Sequence, residues 1–346
     1  MTIVIKVDPN QPEPDSINRA AEVIKRGGLV AFPTETVYGL GANALDESAV
    51  RRIFEVKDRP EFDPLIIHLA GIEQLESVAI DVSDLTRKLA KLFWPGPLTL
   101  IQWKRNEVPS MVTSGLPTLA ARVPAHPVAL ALLKASGVPI AAPSANLFGR
   151  ASPTTSRHVL NDLGSRIEML LDGGPTTIGV ESTVLDITTH PPTLLRPGGV
   201  PLEALEEVIG AIIVQEHSIP AGVSLRSPGM LSKHYAPRAE LVLCTGKSPH
   251  EALRKMRHLV EKYLDQGLRV GLLLVEEDCS RFEELDVVIY PLGQEMILET
   301  IAYSLYAGLR ALDDQDVDII LTRDFGDAGL GLAIRDRLKR AASRVV

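Results

Sequence analysis

Short apolar runs of strand length alternate with stretches of helical period along nearly the whole chain. That alternation excludes all-β architectures and leaves α/β or α+β layers. In the first part, strands are expected at 3–7, 29–32, 65–69, 98–103, 119–123, 140–142, 168–171 and 183–187, with helices at 16–25, 48–57, 85–93 and 128–135. Several connections are too short to hold a helix, so the sheet is expected to be a twisted mixed one. A helix at 202–209 leads into a poorly periodic stretch rich in Pro, Gly and Ser that ends in SPGMLSKHYAP, long enough to be a linker or a lid. Beyond it, strands at 241–244, 270–275, 287–290 and 319–322 alternate with helices at 251–264, 296–312 and 333–342. That tail reads as a second, smaller Rossmann-like, doubly wound α/β domain. The expected organisation is therefore a domain at 1–203, a linker or lid at 204–240 and a small domain at 241–346.

The 346 residues suffice for about two domains that fold without staples. A net charge of -8 argues against the bulk footprint of a nucleic-acid coating protein, though not against a local basic cleft. The two cysteines, Cys244 and Cys279, form no C-x-x-C, so neither a zinc site nor a disulfide framework is expected. Lys6 and Asp8 interrupt the only apolar stretch near the N-terminus, and no run reaches the roughly 18 apolar residues of a membrane span. A cytoplasmic protein is expected.

Three segments carry chemistry. PTETVYGLG, from Pro33, packs hydroxyls, a carboxylate and flexible glycines into a strand exit, where open sheets commonly bind ligands. A polar turn with capping threonines is an equal reading of that segment alone. KDRPEFDPLIIH places Lys57 and Arg59 at a helix end beside the strand-borne His68. Cations at a helix C-terminus are favoured by the dipole in any case, but next to a histidine they also make a phosphate cradle. PIAAPSANLFGRASPT empties a strand into Ser144, Asn146, Gly149 and Ser152, polar groups able to hold an anion or a sugar. Arg122 and Arg196 each close a strand, and Ser182-Thr183 opens one. TGKS at 245–248 lacks the first glycine of a P-loop, and GDAGLG at 326–331 does not match G-x-G-x-x-G, so neither marks a nucleotide site in the tail.

In order, PTETVYGLG, KDRP…PLIIH, WPGPLTLI, RVPAHP, APSANLFGRASPT, ESTVLDI and LLRPGG resemble the YrdC-domain family. With its linker and tail the chain is similar to the two-domain form of that family, the threonylcarbamoyl-AMP synthases. The resemblance implies a YrdC-like first domain and a nucleotidyl transfer. L-threonine, bicarbonate or CO2, and ATP give L-threonylcarbamoyl adenylate and pyrophosphate, for modification of an adenosine next to the anticodon of tRNA. It also implies Mg²⁺ held mainly through the ATP phosphates, a functional link to a separate tRNA threonylcarbamoyl-transfer complex, and weak or no direct tRNA binding. Residue by residue, it implies that Lys57, Arg59, Ser144 and Asn146 form the catalytic nucleotide site, with Asp63, Thr118, Ser152, Arg196 and Tyr235 completing the ATP contacts. Thr36, His68, Arg122, Ala142 and Ser182 would surround threonine, and Tyr235 with the preceding linker would fold over the nucleotide.

Two departures stand out. Asp63 replaces the Asn common in the family; a carboxylate donates no hydrogen bond and repels phosphate unless a metal intervenes, which leaves a ribose, water, metal or plain surface role open. Leu231-Ser232-Lys233 replaces more aromatic and basic linker residues. The competing readings are a carbamoyl-adenylate enzyme, which in its known form also carries cysteine-rich zinc fingers, and an ATP-dependent RNA-binding module, against which the net charge tells.

Overall fold

The structure is a computed structural model, which describes residues 1–215, 224–231 and 234–346. Ser232 and Lys233 of the noted linker departure, and 216–223 of the expected lid, lie outside the described residues. The chain divides into two compact units. The first holds Met1–Phe148, Ser152–Thr177 and the chain from Glu181 to Leu231; the second holds Gly149–Ala151, Ile178–Val180 and the chain from His234 onward. The expected separate linker at 204–240 is thus shared out, its earlier part to the first unit and its last residues to the second.

The first unit is built on a mixed sheet of eleven strands. These are β1 (Ile3–Lys6), β2 (Val30–Phe32), β3 (Gly39–Asn43), β4 (Ile66–His68), β5 (Leu98–Trp103), β6 (Thr118–Arg122), β7 (Ile140–Ala141), β8 (Met169–Asp172), β9 (Thr183–Asp186), β10 (Thr193–Arg196) and β11 (Ile213–Val214). Their order is β1-β8-β2-β3-β7-β4-β6-β5-β9-β10-β11. Parallel pairs such as β4–β6 and β5–β9 alternate with antiparallel ones such as β5–β6 and β3–β7. Helices α1 (Pro14–Lys25), α2 (Glu47–Lys57), α3 (Asp84–Phe93), α4 (Pro127–Ser136), α5 (Ser156–Leu163) and α6 (Leu202–Ile209) cover it. α1 and α4 close one apolar core with Val30, Phe32, Ile140 and Met169; α2 and α5 share another with Ala31, Leu40, Ile67 and Ala121. Neighbouring strand residues thus fall in different cores, as the period-2 alternation of a sheet requires.

α2 shows why a helix ends where the chemistry begins. Asp46 caps it, its carboxylate accepting from the Ser48 and Ala49 amides, and Ala49, Val50, Ile53, Phe54 and Lys57 form the buried stripe. Asp58, at φ 54°, turns the chain left-handed and stops it there. β3 was not expected as a strand, because Gly39 and Gly41 remove the β-propensity signal. A Cβ on Gly41 would lie 2.7 Å from Cε1 of Phe32 and 2.8 Å from Cγ2 of Ile140, so the glycine is what lets these side chains close over the strand.

The second unit has five parallel strands in the order β14-β13-β15-β12-β16: β12 (Glu240–Cys244), β13 (Val270–Leu274), β14 (Val287–Pro291), β15 (Ile319–Arg323) and β16 (Arg344–Val345). Its helices are α7 (Pro249–Asp265), α8 (Glu276–Cys279), α9 (Leu298–Asp314) and α10 (Gly331–Ala341). β15 lies between β12 and β13, whereas the dinucleotide-binding order keeps the first two strands adjacent.

Candidate active site

Three strand ends and two loops of the first unit bring the site together. β4 and β6 run parallel with His68 opposite Arg122 and Ile66 opposite Ala120. Thr118, Ala120 and Arg122 alternate onto one face of β6, so Thr118 and Arg122 stand about 13 Å apart along the strand. On that face Ile66 and Ala120 pack against Leu225 and Met230. The linker segment 224–231 therefore folds back onto the sheet: the Leu225 amide donates to the Phe62 carbonyl at 3.0 Å, and the Pro228 carbonyl accepts from Nη1 of Arg196 at 3.1 Å.

Arg122 is buried, and its guanidinium is aimed by its neighbours. Nε donates to Nε2 of His68 at 3.0 Å, Nη2 to Oγ1 of Thr36 at 3.0 Å, and Nη1 lies 3.8 Å from Oε1 of Glu35. Because His68 Nε2 accepts, the ring proton sits on Nδ1, 3.3 Å from the Ile66 carbonyl. Burial first, and Arg122 second, hold the His68 imidazole well below its ordinary range, so it stays neutral. Thr34 Oγ1 donates to the Val37 carbonyl at 2.6 Å, which leaves the Thr36 hydroxyl to donate to Thr34 and accept from Arg122. Tyr38 of the same segment is structural: its hydroxyl donates to the Gly174 carbonyl at 2.6 Å.

Arg196, also buried, wraps Ser182. Nε and Nη2 donate to its carbonyl at 3.1 and 2.9 Å, and Nη2 to its hydroxyl at 3.1 Å; that hydroxyl also meets Thr99 Oγ1 at 2.7 Å. Ser152 Oγ donates to Oε1 of Glu181 at 2.5 Å. Burial pulls the Arg122 guanidinium down, Glu35 opposes that, and Arg196 and Glu181 act on it in opposite senses. Arg122, Arg196, Glu35 and Glu181 thus form one charge network. Glu35 and Glu181, which meet these candidate residues, were not singled out by name in the sequence. Their signal was slight: each stands directly before a candidate hydroxyl residue, Thr36 and Ser182.

The cationic pair lies in the same unit. Lys57 is almost fully buried, and its ammonium donates to the carbonyls of Ser144, at 2.5 Å, and Asn146. Arg59 donates through Nε to the Asp63 carbonyl at 3.0 Å and through Nη2 to the Pro64 carbonyl at 2.7 Å, and its Nη2 pairs with Asp63 Oδ2 at 3.0 Å. Asp63 has no exposed surface, which removes the surface reading of that residue. Neither of its carboxylate oxygens accepts a geometrically sound hydrogen bond. Burial pushes its carboxyl up, against the pull of Arg59, Lys57 and Arg196.

The structure thus gathers Thr36, His68 and Arg122 in one contact set, Ser182 with Arg196 in a second, and Lys57 with Ser144 and Asn146 in a third. Charge links the sets. Thr118 shares a strand face with Arg122, and the Ala142 amide is taken by the Ile66 carbonyl at 2.9 Å. Tyr235 lies in the second unit, buried, at φ 64°, its ring 5.6 Å from that of Tyr306 and beneath Arg337 at 5.2 Å. Among the described residues no three His, Cys, Asp or Glu side chains gather to cage a metal ion.

Known proteins align with this architecture along its whole length. Residues 22–198 match the Sua5_yciO_yrdC profile, described as "Telomere recombination", and residues 200–343 match a profile described as "Threonylcarbamoyl-AMP synthase, C-terminal domain". The chain is 49% identical to a threonylcarbamoyl-AMP synthase of Pyrococcus abyssi, over 99% of this chain and 98% of the other. It is 46% identical to one of Bacillus subtilis, over 97% and 95%. A crystal structure of P. abyssi Sua5 complexed with L-threonine superposes with a TM-score of 0.93 at 46% identity, covering 100% of this chain and 99% of that one. With both of its domains matched and relatives aligned end to end, the chain belongs to the two-domain threonylcarbamoyl-AMP synthase family.

Proposed function

We infer that this chain makes L-threonylcarbamoyl-AMP and pyrophosphate from L-threonine, bicarbonate or CO2, and ATP. The observation that carries the reading is the buried Arg122 fork, fixed by His68 and Thr36 and sharing a charge network with Arg196, which in turn acts on Asp63 together with Lys57 and Arg59. An amino-acid carboxylate suits the fork, and a triphosphate suits the three cations that surround Asp63.

The chemistry needs placement more than a covalent nucleophile. The threonine amine, as the free base, takes up CO2 to form a carbamate and releases one proton to solvent; the carbamate oxygen attacks the α-phosphate and pyrophosphate leaves in line. Arg122 holds the amino-acid carboxylate, and Ser182 and the Ala142 backbone meet the rest of threonine. Lys57, Arg59 and Arg196 offset charge on the phosphates, with Ser144, Asn146, Ser152 and Thr118 along the nucleotide. Neutral His68 is an orienting acceptor for Arg122 and takes no proton. The donor set fits a Mg²⁺ that arrives on the phosphates, where it would offset further charge. Segment 224–231 shields the carbamate from water. The product goes, in the cytoplasm, to a separate transferase that modifies the adenosine beside the anticodon, without tight tRNA binding by this chain.

Pyrophosphate release from ATP and Mg²⁺ tests the reading, with and without threonine and bicarbonate, in wild type and Lys57→Ala. Release that requires both co-substrates and falls at least about 100-fold in the variant is expected, from loss of a buried charge-assisted contact. Release indifferent to threonine would make the chain a plain ATPase.

A further inference from the structure

We propose that Glu35, through Oε1, receives the α-ammonium of threonine and so selects an amino acid over any other carboxylate. The proposal rests on the threonine-using reading above. Glu35 is firmly placed: Oε2 accepts from the Ala125 amide at 3.1 Å, and the Glu35 carbonyl accepts from the amide and hydroxyl of Thr177 at 3.2 and 3.3 Å. The residue is 5% exposed, yet Oε1 has no hydrogen-bond donor. Its nearest cation, Nη1 of Arg122, is 3.8 Å away, an ion-pair distance too long for a hydrogen bond.

A buried carboxylate oxygen left without a donor is costly, and a site tolerates it where a ligand supplies the missing group. The other side-chain acceptors around Arg122 are already engaged. His68 Nε2 is taken by Arg122, the Thr36 hydroxyl by Arg122 and Thr34, and Glu181 Oε1 by Ser152. Nη1 of Arg122 and Oε1 of Glu35 thus stand side by side as opposite charges not bonded to each other. An α-amino acid carries carboxylate and ammonium on one carbon, so its dipole matches that pair. The ammonium loses one proton to solvent to become the reactive amine and a second on adding CO2, and the single N–H left on the carbamate can still donate to the same oxygen.

The alternative is that Glu35 only neutralises Arg122. The two roles separate with L-threonine and 3-hydroxybutyrate of the same C3 configuration, which keeps the carboxylate, hydroxyl and methyl and lacks the ammonium. Dissociation constants are measured by calorimetry on the full chain, wild type and Glu35→Gln. Wild type is expected to bind threonine at least about tenfold more tightly than the analogue. Glu35→Gln should weaken threonine by about 10- to 100-fold, and change the analogue and ATP by less than about threefold. Equal weakening of both carboxylates, or tighter binding of both, would overturn the proposal. If the variant does not fold, the wild-type ratio decides, and a ratio near one overturns it. A wild type that binds ATP but not threonine removes the parent reading itself, as pyrophosphate release would independently report.

Discussion

Asp63 carries the least comfortable charge in the site, a wholly buried carboxylate without a sound hydrogen bond, whose ionisation burial opposes more strongly than Arg59, Lys57 and Arg196 favour it. A carboxyl raised in the folded state binds its proton more tightly there than in the unfolded chain. Stability is therefore lost as pH rises from the ordinary carboxylate range through the folded value. A neutral amide in its place would not titrate, so the melting temperature of Asp63→Asn relative to wild type should climb between pH 4 and neutrality. A difference that stays flat, or falls, would mean that the cations offset the charge in full. At this scale the sequence singled out cations and hydroxyls that the fold brings into contact, because strand ends announce them. It could not name Glu35 or Glu181. Each acts on a residue far along the chain, and no local period betrays that.

Segment 224–231 is an element without regular structure, seated by Leu225 and Met230 on Ile66 and Ala120 and by backbone bonds to Phe62 and Arg196. Its placement therefore depends on few apolar contacts. Leu225→Ala removes the larger part of one of them, at a cost of about 2–5 kcal/mol by analogy with other buried leucines. Tryptic cleavage after Arg226 is expected to quicken at least about tenfold, since proteolysis follows the open population. Unchanged cleavage would show that the segment's polar contacts, the Arg226–Asp186 ion pair at 2.7 Å among them, hold it without Leu225. A linker or lid was legible in the sequence as a long aperiodic stretch, and a fold-back only through the family resemblance. Its seat was not, because the face that receives it exists only once β4 and β6 have paired. β3 stayed hidden for a different reason: the glycines that Phe32 and Ile140 demand look like a turn.

Across the whole molecule, the two units are stabilised differently. The first gathers buried charges at its candidate site; the second commits buried arginines to its own framework. Arg323, 1% exposed, binds Asp278 through Nε and Glu295 through Nη2, both at 2.7 Å. Arg323→Ala strands the buried Asp278 carboxylate and should cost about 3–5 kcal/mol. Cys244 reports on that unit, since it is wholly buried in the core and its thiol is pushed up to about 11 by burial. Its labelling by a thiol reagent should accelerate at least about 100-fold in the variant, with partly exposed Cys279 as the internal reference. Equal labelling in both chains would mean that the pair is replaceable. The alternation of elements in this unit was plain in the sequence, but the insertion of β15 between β12 and β13 was not, because strand order follows from long-range pairing.

The cations of the first unit already hold protein oxygens: Lys57 those of Ser144 and Asn146, Arg59 those of Asp63 and Pro64, Arg196 those of Ser182 and Pro228. On the proposed nucleotide reading, an incoming anion would have to displace these carbonyls, and a chain of linked phosphates could replace several of them where a single phosphate could replace few. The protein's own backbone would then set the threshold that an anion must pass.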